Sequence, residues 1–206
     1  MITMELALPQ AALVARDQGR RPTCLAFALC EVEYRHSQGG ALSPEYLYQS
    51  AAARSPSWAP NDGLQLSAAL RVADRIALEA DYPYQQTEPS FPLPPLPSGI
   101  PLFGGPAHVF SVHTNEIVRR LREGLVVGLG LMLTQAFYQP VGDRIRDGAP
   151  IVPESGHAVA VVGLGWEEER AFFLIRNSWG QAWGQNGSAW LSEDYVQEHA
   201  QCAFGV

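Results

Sequence analysis

Two apolar runs separated by an acidic stretch constrain the fold of this 206-residue chain more than any other feature. The first run covers residues 156–165, the second covers 171–176, and three glutamates at 167–169 lie between them. Short apolar runs joined by a polar segment predict the two strands of a hairpin. Opposite partners in an antiparallel pair have a constant sum of residue numbers. A hairpin symmetric about the first glutamate would therefore place His157 opposite Asn177.

An imidazole beside a carboxamide is a chemically useful pair. The amide oxygen accepts a hydrogen bond from one ring N–H, which fixes the tautomer and leaves the other ring nitrogen to face a thiol. A histidine taken alone is more often structural, and a Trp and Gly cluster such as residues 179–187 more often belongs to a core and its turns. The pair at His157 and Asn177 therefore needs a nucleophile elsewhere in the chain.

Cys24 offers that nucleophile. A helix is predicted from Cys24 to Tyr34, with Pro22 at its entrance and Gly39 beyond its end. A thiol in the first turn of a helix meets the positive end of the helix dipole and unpaired backbone N–H groups, both of which favour the thiolate. Gln18, six residues earlier, is a candidate donor to an oxyanion. The alternative is a buried structural cysteine, a common fate of free thiols.

Three segments in the same order resemble the papain family of cysteine peptidases, in a compact bacterial type without a recognisable inhibitory pro-segment. They are Gln18-Gly19 with Cys24-Leu25-Ala26-Phe27, the helix that begins at Leu42-Ser43, and Asn177-Ser178-Trp179-Gly180 followed by Trp183-Gly184. The last, an "NSWG-x-x-WG" run, is the most specific. Two departures leave every catalytic position filled: Leu25 stands where the family usually has Trp, and Arg21 stands where many members have a disulfide-bonded cysteine.

The resemblance implies an α+β, papain-like fold of two lobes with an active-site cleft between them. Residues 13–104 would form a mainly helical lobe that carries the nucleophile helix. Residues 105–206 would form a strand-rich, antiparallel, barrel-like lobe that carries the hairpin of His157 and Asn177. Residues 1–12 would form an N-terminal arm.

The resemblance also implies an activity, the hydrolysis of peptide bonds by a Cys24 thiolate paired with a His157 imidazolium. Asn177 would orient His157, and Gln18 would hold the oxyanion together with the backbone N–H of Cys24. Six further positions match substrate-binding residues of the family, namely Gly63, Leu64, Asp62, Gly156, Ala158 and Trp179. Trp179 would cover the His–Asn hydrogen bond. Asp62 replaces a usual glycine and predicts an acidic rim that favours basic side chains.

Two other functions stay open at this point. Another thiol acyl-transfer enzyme, such as an isopeptidase, a transpeptidase or an amidase, would use the same triad and differ in the acceptor and the pocket. A non-catalytic, papain-like binding module is disfavoured because all four catalytic positions are filled.

The charge and the termini exclude several partners. A net charge of -7 and basic pairs only at Arg20-Arg21 and Arg119-Arg120 argue against nucleic acid. No apolar stretch is long enough to cross a bilayer, and the first ten residues lack the pattern of a signal peptide, so a cytoplasmic location is expected. The predicted partners are a peptide or protein substrate, with a dedicated protein partner or inhibitor left open.

No metal or cofactor is predicted, because the cysteines do not pair at Cys-x-x-Cys spacing and the five histidines are scattered. Cys30 and Cys202 are expected to be structural. Residues 89–101 are too rich in proline for a helix or an inner strand, and they are interpreted as a connector between lobes rather than a recognition motif. The other predicted elements are a helix with Ser43 as N-cap, a helix over 66–76, a strand over 109–113, a short helix capped by Thr114 and a buried strand over 125–133.

Overall fold

A computed structural model of the chain describes residues 1–11 and 14–206. The expected boundary between the arm and the helical lobe, at residues 12 and 13, lies outside the described residues. The helices and strands in chain order are β1 (Thr3–Ala7), α1 (Cys24–Val32) with a 3-10 turn (Glu33–His36), α2 (Pro44–Ala52), α3 (Leu66–Leu70), β2 (His108–Phe110), α4 (Thr114–Arg122), β3 (Val127–Thr134), α5 (Gln135–Tyr138), β4 (Ile151–Glu167), β5 (Arg170–Arg176), β6 (Ser188–Ser192), α6 (Glu193–His199) and β7 (Ala200–Gly205).

Helix α1 is the central helix of the helical lobe. Every residue after Cys24 in α1 is buried, which agrees with its almost wholly apolar sequence. Thr23 occupies the N-cap position without capping through its side chain; its hydroxyl lies 2.8 Å from the Tyr84 hydroxyl instead. The start of the helix is therefore held by tertiary contacts. One side of α1 packs on β4, so the helix lies against the strand that carries His157.

The next two helices differ in how well the sequence pattern predicts them. The capped start of α2 is confirmed, since the Ser43 hydroxyl accepts from the Tyr46 N–H at 3.0 Å and Pro44 is the first helical residue. The helix predicted over 66–76 is wrong beyond Leu70. There the chain continues in tight turns that bring Ile76 into a pair of 2.8 Å backbone hydrogen bonds with Phe103.

The predicted cap at Thr114 is also wrong. Helix α4 begins at Thr114 itself, and His113 occupies the N-cap position without a side-chain hydrogen bond. The Thr114 hydroxyl accepts a 3.1 Å hydrogen bond from the Gln197 side chain on α6 instead. A tertiary contact between two helices has taken the place of the local one.

All the ladders among the named strands are antiparallel. The sheet runs in the order β2-β7-β3-β4-β5-β6, with β1 added to β4, and this path is open at β2 and β6. The long strand β4 organises it: the first part of β4 pairs with β3, and the part near its end has β1 on one edge and β5 on the other. The N-terminal segment is thus a strand of the sheet over Thr3–Ala7.

The register predicted for the hairpin is wrong. Glu167 pairs with Arg170, so the turn is centred beyond the first glutamate, and Glu168 adopts a left-handed φ of 57° in it. A bulge between Val161 and Gly163 then shifts the ladder by one residue. The cross-strand partner of His157 is Leu131 of β3. His157 and Asn177 therefore meet diagonally, not as opposite partners.

Two hydrophobic cores lie on either side of the junction between α1 and the sheet. One fills the β-rich half under α4 and α6, and the other lies among α1, α2 and α3. The helical core also includes Ala158 from β4 and Phe204 from β7. The two halves are therefore packed together along the face where the candidate catalytic side chains lie.

Candidate active site

The imidazole of His157 and the amide of Asn177 are joined by a buried hydrogen bond. His157 Nε2 lies 2.7 Å from Asn177 Oδ1, and both side chains are more than nine-tenths buried. The same Oδ1 accepts from the Ser178 backbone N–H at 2.8 Å, which requires an oxygen at that position. His157 Nε2 therefore carries the proton, and Nδ1 is the ring nitrogen left for a thiol.

An aromatic cluster encloses this pair. The Trp179 ring lies 4.7 Å from the His157 ring, and the Phe137 ring lies 5.8 Å from it. Phe137 also contacts Trp179 and Trp183. Phe137 is fully buried on α5, and no motif in the sequence indicated its role. The cluster excludes water from the hydrogen bond, which strengthens it.

Cys24 lies at the first residue of α1 and borders the same cavity as His157. Burial raises the pKa of its thiol, and this outweighs the backbone N–H groups of Ala158, Leu25 and Cys24 itself, which lower it. Burial also lowers the pKa of His157 to about 4, although the hydrogen bond that His157 donates to Asn177 acts in the opposite direction. Each group alone thus favours its neutral form. Transfer of the thiol proton to the imidazole would create two opposite charges, and each charge would favour the other.

Gln18 is held in a fixed orientation at the edge of the site. Its Oε1 accepts from the Ser178 hydroxyl at 2.6 Å, and its Nε2 donates to the Arg21 carbonyl at 2.7 Å. The second N–H of the amide remains for a ligand. The backbone N–H of Gln18 also donates to the Ser178 carbonyl at 2.8 Å. Ser178 was part of the recognised motif, but its contact with Gln18 depends on the fold and was not predicted.

A cavity of about 550 Å³ joins these groups. The residues predicted from the sequence that border it are Gln18, Cys24, Gly63, Leu64, Gly156, His157, Ala158 and Trp179. Asn177 lies behind His157. Asp62 does not border the cavity, because its carboxylate turns back to accept from the Ala59 N–H at 2.9 Å. The sequence did not predict the apolar end of the cavity, where Leu66, Cys202 and Phe204 lie.

Two classes of site are not found in the described part of the chain. No group of three or more His, Cys, Asp or Glu side chains is arranged to hold a metal ion. None of the helices described is long and apolar enough to cross a membrane.

The fold and the site define a class of protein with a helix-borne thiol on one half and an imidazole–carboxamide pair on the other. The family model described as papain family cysteine protease matches residues 13–204. The chain therefore belongs to the papain family. This agrees with the resemblance seen in the sequence.

Solved structures give the same fold. Digestive procathepsin L 3 of Tenebrio molitor larval midgut superposes with a TM-score of 0.80 at 18% identity, over 98% of this chain and 70% of that one. Xylellain, a cysteine protease from Xylella fastidiosa, superposes with a TM-score of 0.72 at 22% identity, over 98% of this chain and 88% of that one. At these identities the likeness establishes the fold alone.

Curated sequences match over shorter stretches. The viral cathepsin of Spodoptera litura multicapsid nucleopolyhedrovirus is 31% identical over 111 residues, which are 53% of this chain and 31% of that protein. The chain likewise spans less than a third of other curated relatives that it matches. These matches support the family.

Proposed function

We propose that this protein is a cysteine peptidase that hydrolyses peptide bonds through Cys24. One observation carries the proposal: the buried 2.7 Å hydrogen bond between His157 Nε2 and Asn177 Oδ1 leaves Nδ1 of His157 for the thiol that borders the same cavity. A histidine with this orientation is suited to act as a general base and then as a general acid. The family of the chain supports peptides or proteins as substrates.

The proposed reaction begins with transfer of the Cys24 proton to His157. The thiolate attacks the carbonyl carbon of the peptide bond, and the resulting oxyanion is held by the Cys24 backbone N–H and the Gln18 Nε2. His157 then gives its proton to the leaving amine as the C–N bond breaks, which leaves a thioester on Cys24. His157 removes a proton from water as the water attacks the thioester, and the acid product and the thiol are released.

The lining of the cavity favours a substrate with an apolar side chain on the acyl side of the cleaved bond. Leu64, Ala158 and Phe204 border it, and none carries a charge. Gly63 and Gly156 would offer backbone groups to an extended peptide. The acidic rim expected at Asp62 finds no support here, because that carboxylate is used within its own turn. A dedicated protein partner or inhibitor and the cytoplasmic location stay predictions.

A peptide library incubated with the protein and with Cys24→Ala tests the proposal. We expect cleavage by the native protein, loss of cleavage in Cys24→Ala, and retention in Cys30→Ala, a control that removes a buried thiol of α1. Persistent cleavage in Cys24→Ala would overturn the assignment. Addition of an amine nucleophile distinguishes hydrolysis from acyl transfer, because a transpeptidase would give amide products in place of acids.

A further inference from the structure

Arg21 is an unusual residue to bury three positions before the candidate nucleophile. Its side chain is only 4% exposed and lies between the Tyr48 and Tyr84 rings, with its guanidinium 5.0 Å from each ring centre. It forms ion pairs with two carboxylates, Glu45 and Glu88, the second at 2.8 Å. A buried guanidinium is costly unless it is paired and hydrogen-bonded in this way. Arg21, its two carboxylates and the two tyrosines therefore form a buried cluster in which the charge is paired, and this cluster lies beside the candidate active site.

The main chain of Arg21 and one of its stacking partners hold Gln18. The Arg21 carbonyl accepts from the Gln18 side-chain amide at 2.7 Å, which orients the group proposed to hold the oxyanion. The Tyr84 hydroxyl donates to the Gln18 carbonyl at 2.8 Å and lies 2.8 Å from the Thr23 hydroxyl. A displacement of the Arg21 backbone would therefore move the Gln18 amide.

The side chain of Arg21 reaches a second part of the cavity wall through Glu88. While Oε2 of Glu88 pairs with Arg21, its Oε1 accepts from the Asn61 backbone N–H at 3.2 Å and lies 2.6 Å from the Tyr48 hydroxyl. The Tyr48 hydroxyl is also 2.7 Å from the Asp62 carbonyl. Asn61 and Asp62 immediately precede Gly63, which borders the cavity. Glu88 thus fixes the segment that carries the substrate wall.

We propose that Arg21 is a positioning residue that couples the Gln18 amide to the Asn61–Gly63 wall through Glu88. This inference rests on the proposed function, since it assigns Gln18 to the oxyanion and Gly63 to the substrate. Arg21 supplies the connection, because its guanidinium pairs with Glu88 and Glu45 at once while its backbone carbonyl holds Gln18. Two parts of the helical side of the cleft are therefore set by one non-covalent cluster.

The kinetic test compares Arg21→Met with Arg20→Met. Methionine keeps an unbranched apolar chain between the two tyrosines and removes the charge, and Arg20 is the exposed neighbour that serves as control. We expect kcat/KM for a peptide substrate to fall about tenfold to hundredfold in Arg21→Met, with both a lower kcat and a higher KM. Alkylation of Cys24 by iodoacetamide, which needs neither the oxyanion site nor the wall, should stay within about twofold of the native rate.

Glu88→Gln tests the same connection without emptying the Arg21 site, and it carries the test if Arg21→Met does not fold. On a logarithmic scale, the loss in kcat/KM of the double variant Arg21→Met/Glu88→Gln should be smaller than the sum of the two single losses. The reason is that both substitutions break the same connection. Native kinetic constants in a folded Arg21→Met or Glu88→Gln, with only a lower melting temperature, would overturn the inference. So would an alkylation rate that falls in proportion to kcat/KM.

Hydrogen exchange separates this inference from the proposed function. In Arg21→Met, amides in segments 16–20 and 59–64 should both exchange faster than in the native protein, whereas Arg20→Met should leave both unchanged. If the native protein cleaves no peptide but both segments loosen, the peptidase assignment fails and the coupling stands. If the native protein cleaves peptides and only one segment loosens, the coupling fails and the peptidase assignment stands.

Discussion

Replacement of Asn177 by alanine is expected to lower activity by removing the orientation of His157. The lost contact is the 2.7 Å hydrogen bond from His157 Nε2 to Asn177 Oδ1, enclosed by Trp179 and Phe137. During attack the imidazole becomes charged, and a hydrogen bond to a charged group contributes about 1.5 to 3 kcal/mol. That range corresponds to a loss in kcat/KM of about tenfold to about 150-fold.

The pH profile should change in a defined direction. The Asn177 hydrogen bond raises the pKa of His157 against burial, which lowers it to about 4. Loss of the bond therefore lowers the pKa further and makes the imidazolium harder to form. We expect the alkaline limb of kcat/KM, where the charged pair loses its proton, to move to lower pH in Asn177→Ala.

The assay is the pH dependence of kcat/KM for one peptide substrate, measured for the native protein, Asn177→Ala and Asn115→Ala. Asn115 is exposed on α4 and away from the cavity, so its substitution should leave the profile unchanged. A native value of kcat/KM in Asn177→Ala, together with an unmoved alkaline limb, would refute the role given to this residue.

Two further predictions concern stability. The first uses Cys24→Ala, which removes the proposed proton partner of His157. The unfolded chain binds a proton at His157 below the ordinary pKa of 6.5, whereas burial delays that protonation in the folded chain to about pH 4. The free energy of unfolding should therefore fall by up to about 3 kcal/mol as the pH drops from 6.5 to 4. Denaturant unfolding at several pH values measures this fall. It should disappear when His157→Gln is added, and the same pH dependence in the double variant would contradict the pKa argument. Ser43→Ala should lower the free energy of unfolding by about 1 kcal/mol, because the Ser43 hydroxyl caps α2; no change in the denaturation midpoint would show that the cap contributes nothing.

The sequence predicted the elements of the site more reliably than their contacts. The pairing of His157 with Asn177 followed from two apolar runs and a motif, yet the register that was to produce it was wrong. The left-handed turn at Glu168 and the bulge before Gly163 are local backbone choices that a pattern of apolar residues does not specify. The contact survives because positions two apart on a strand share a face, so a diagonal pair also meets.

Other parts of the site depend on tertiary structure. Phe137 belongs to a four-residue helix after a buried strand, and only the fold brings it against His157. The partners of Arg21 lie 24 and 67 residues away in sequence, at Glu45 and Glu88, with no periodicity that joins them. Arg21 departs from the family pattern in the sequence, but the buried cluster around it forms only when the fold brings these distant residues together.

The most direct test of the whole account is selective labelling of Cys24. An excess of a peptidyl vinyl sulfone is incubated with the native protein and with His157→Gln, and peptide mapping by mass spectrometry locates the adduct. We expect rapid modification of Cys24 alone among the three free cysteines in the native protein, and a strongly reduced rate in His157→Gln. An unmodified Cys24, or equal labelling of Cys24 and Cys202, would contradict the assignment of Cys24 as the activated nucleophile.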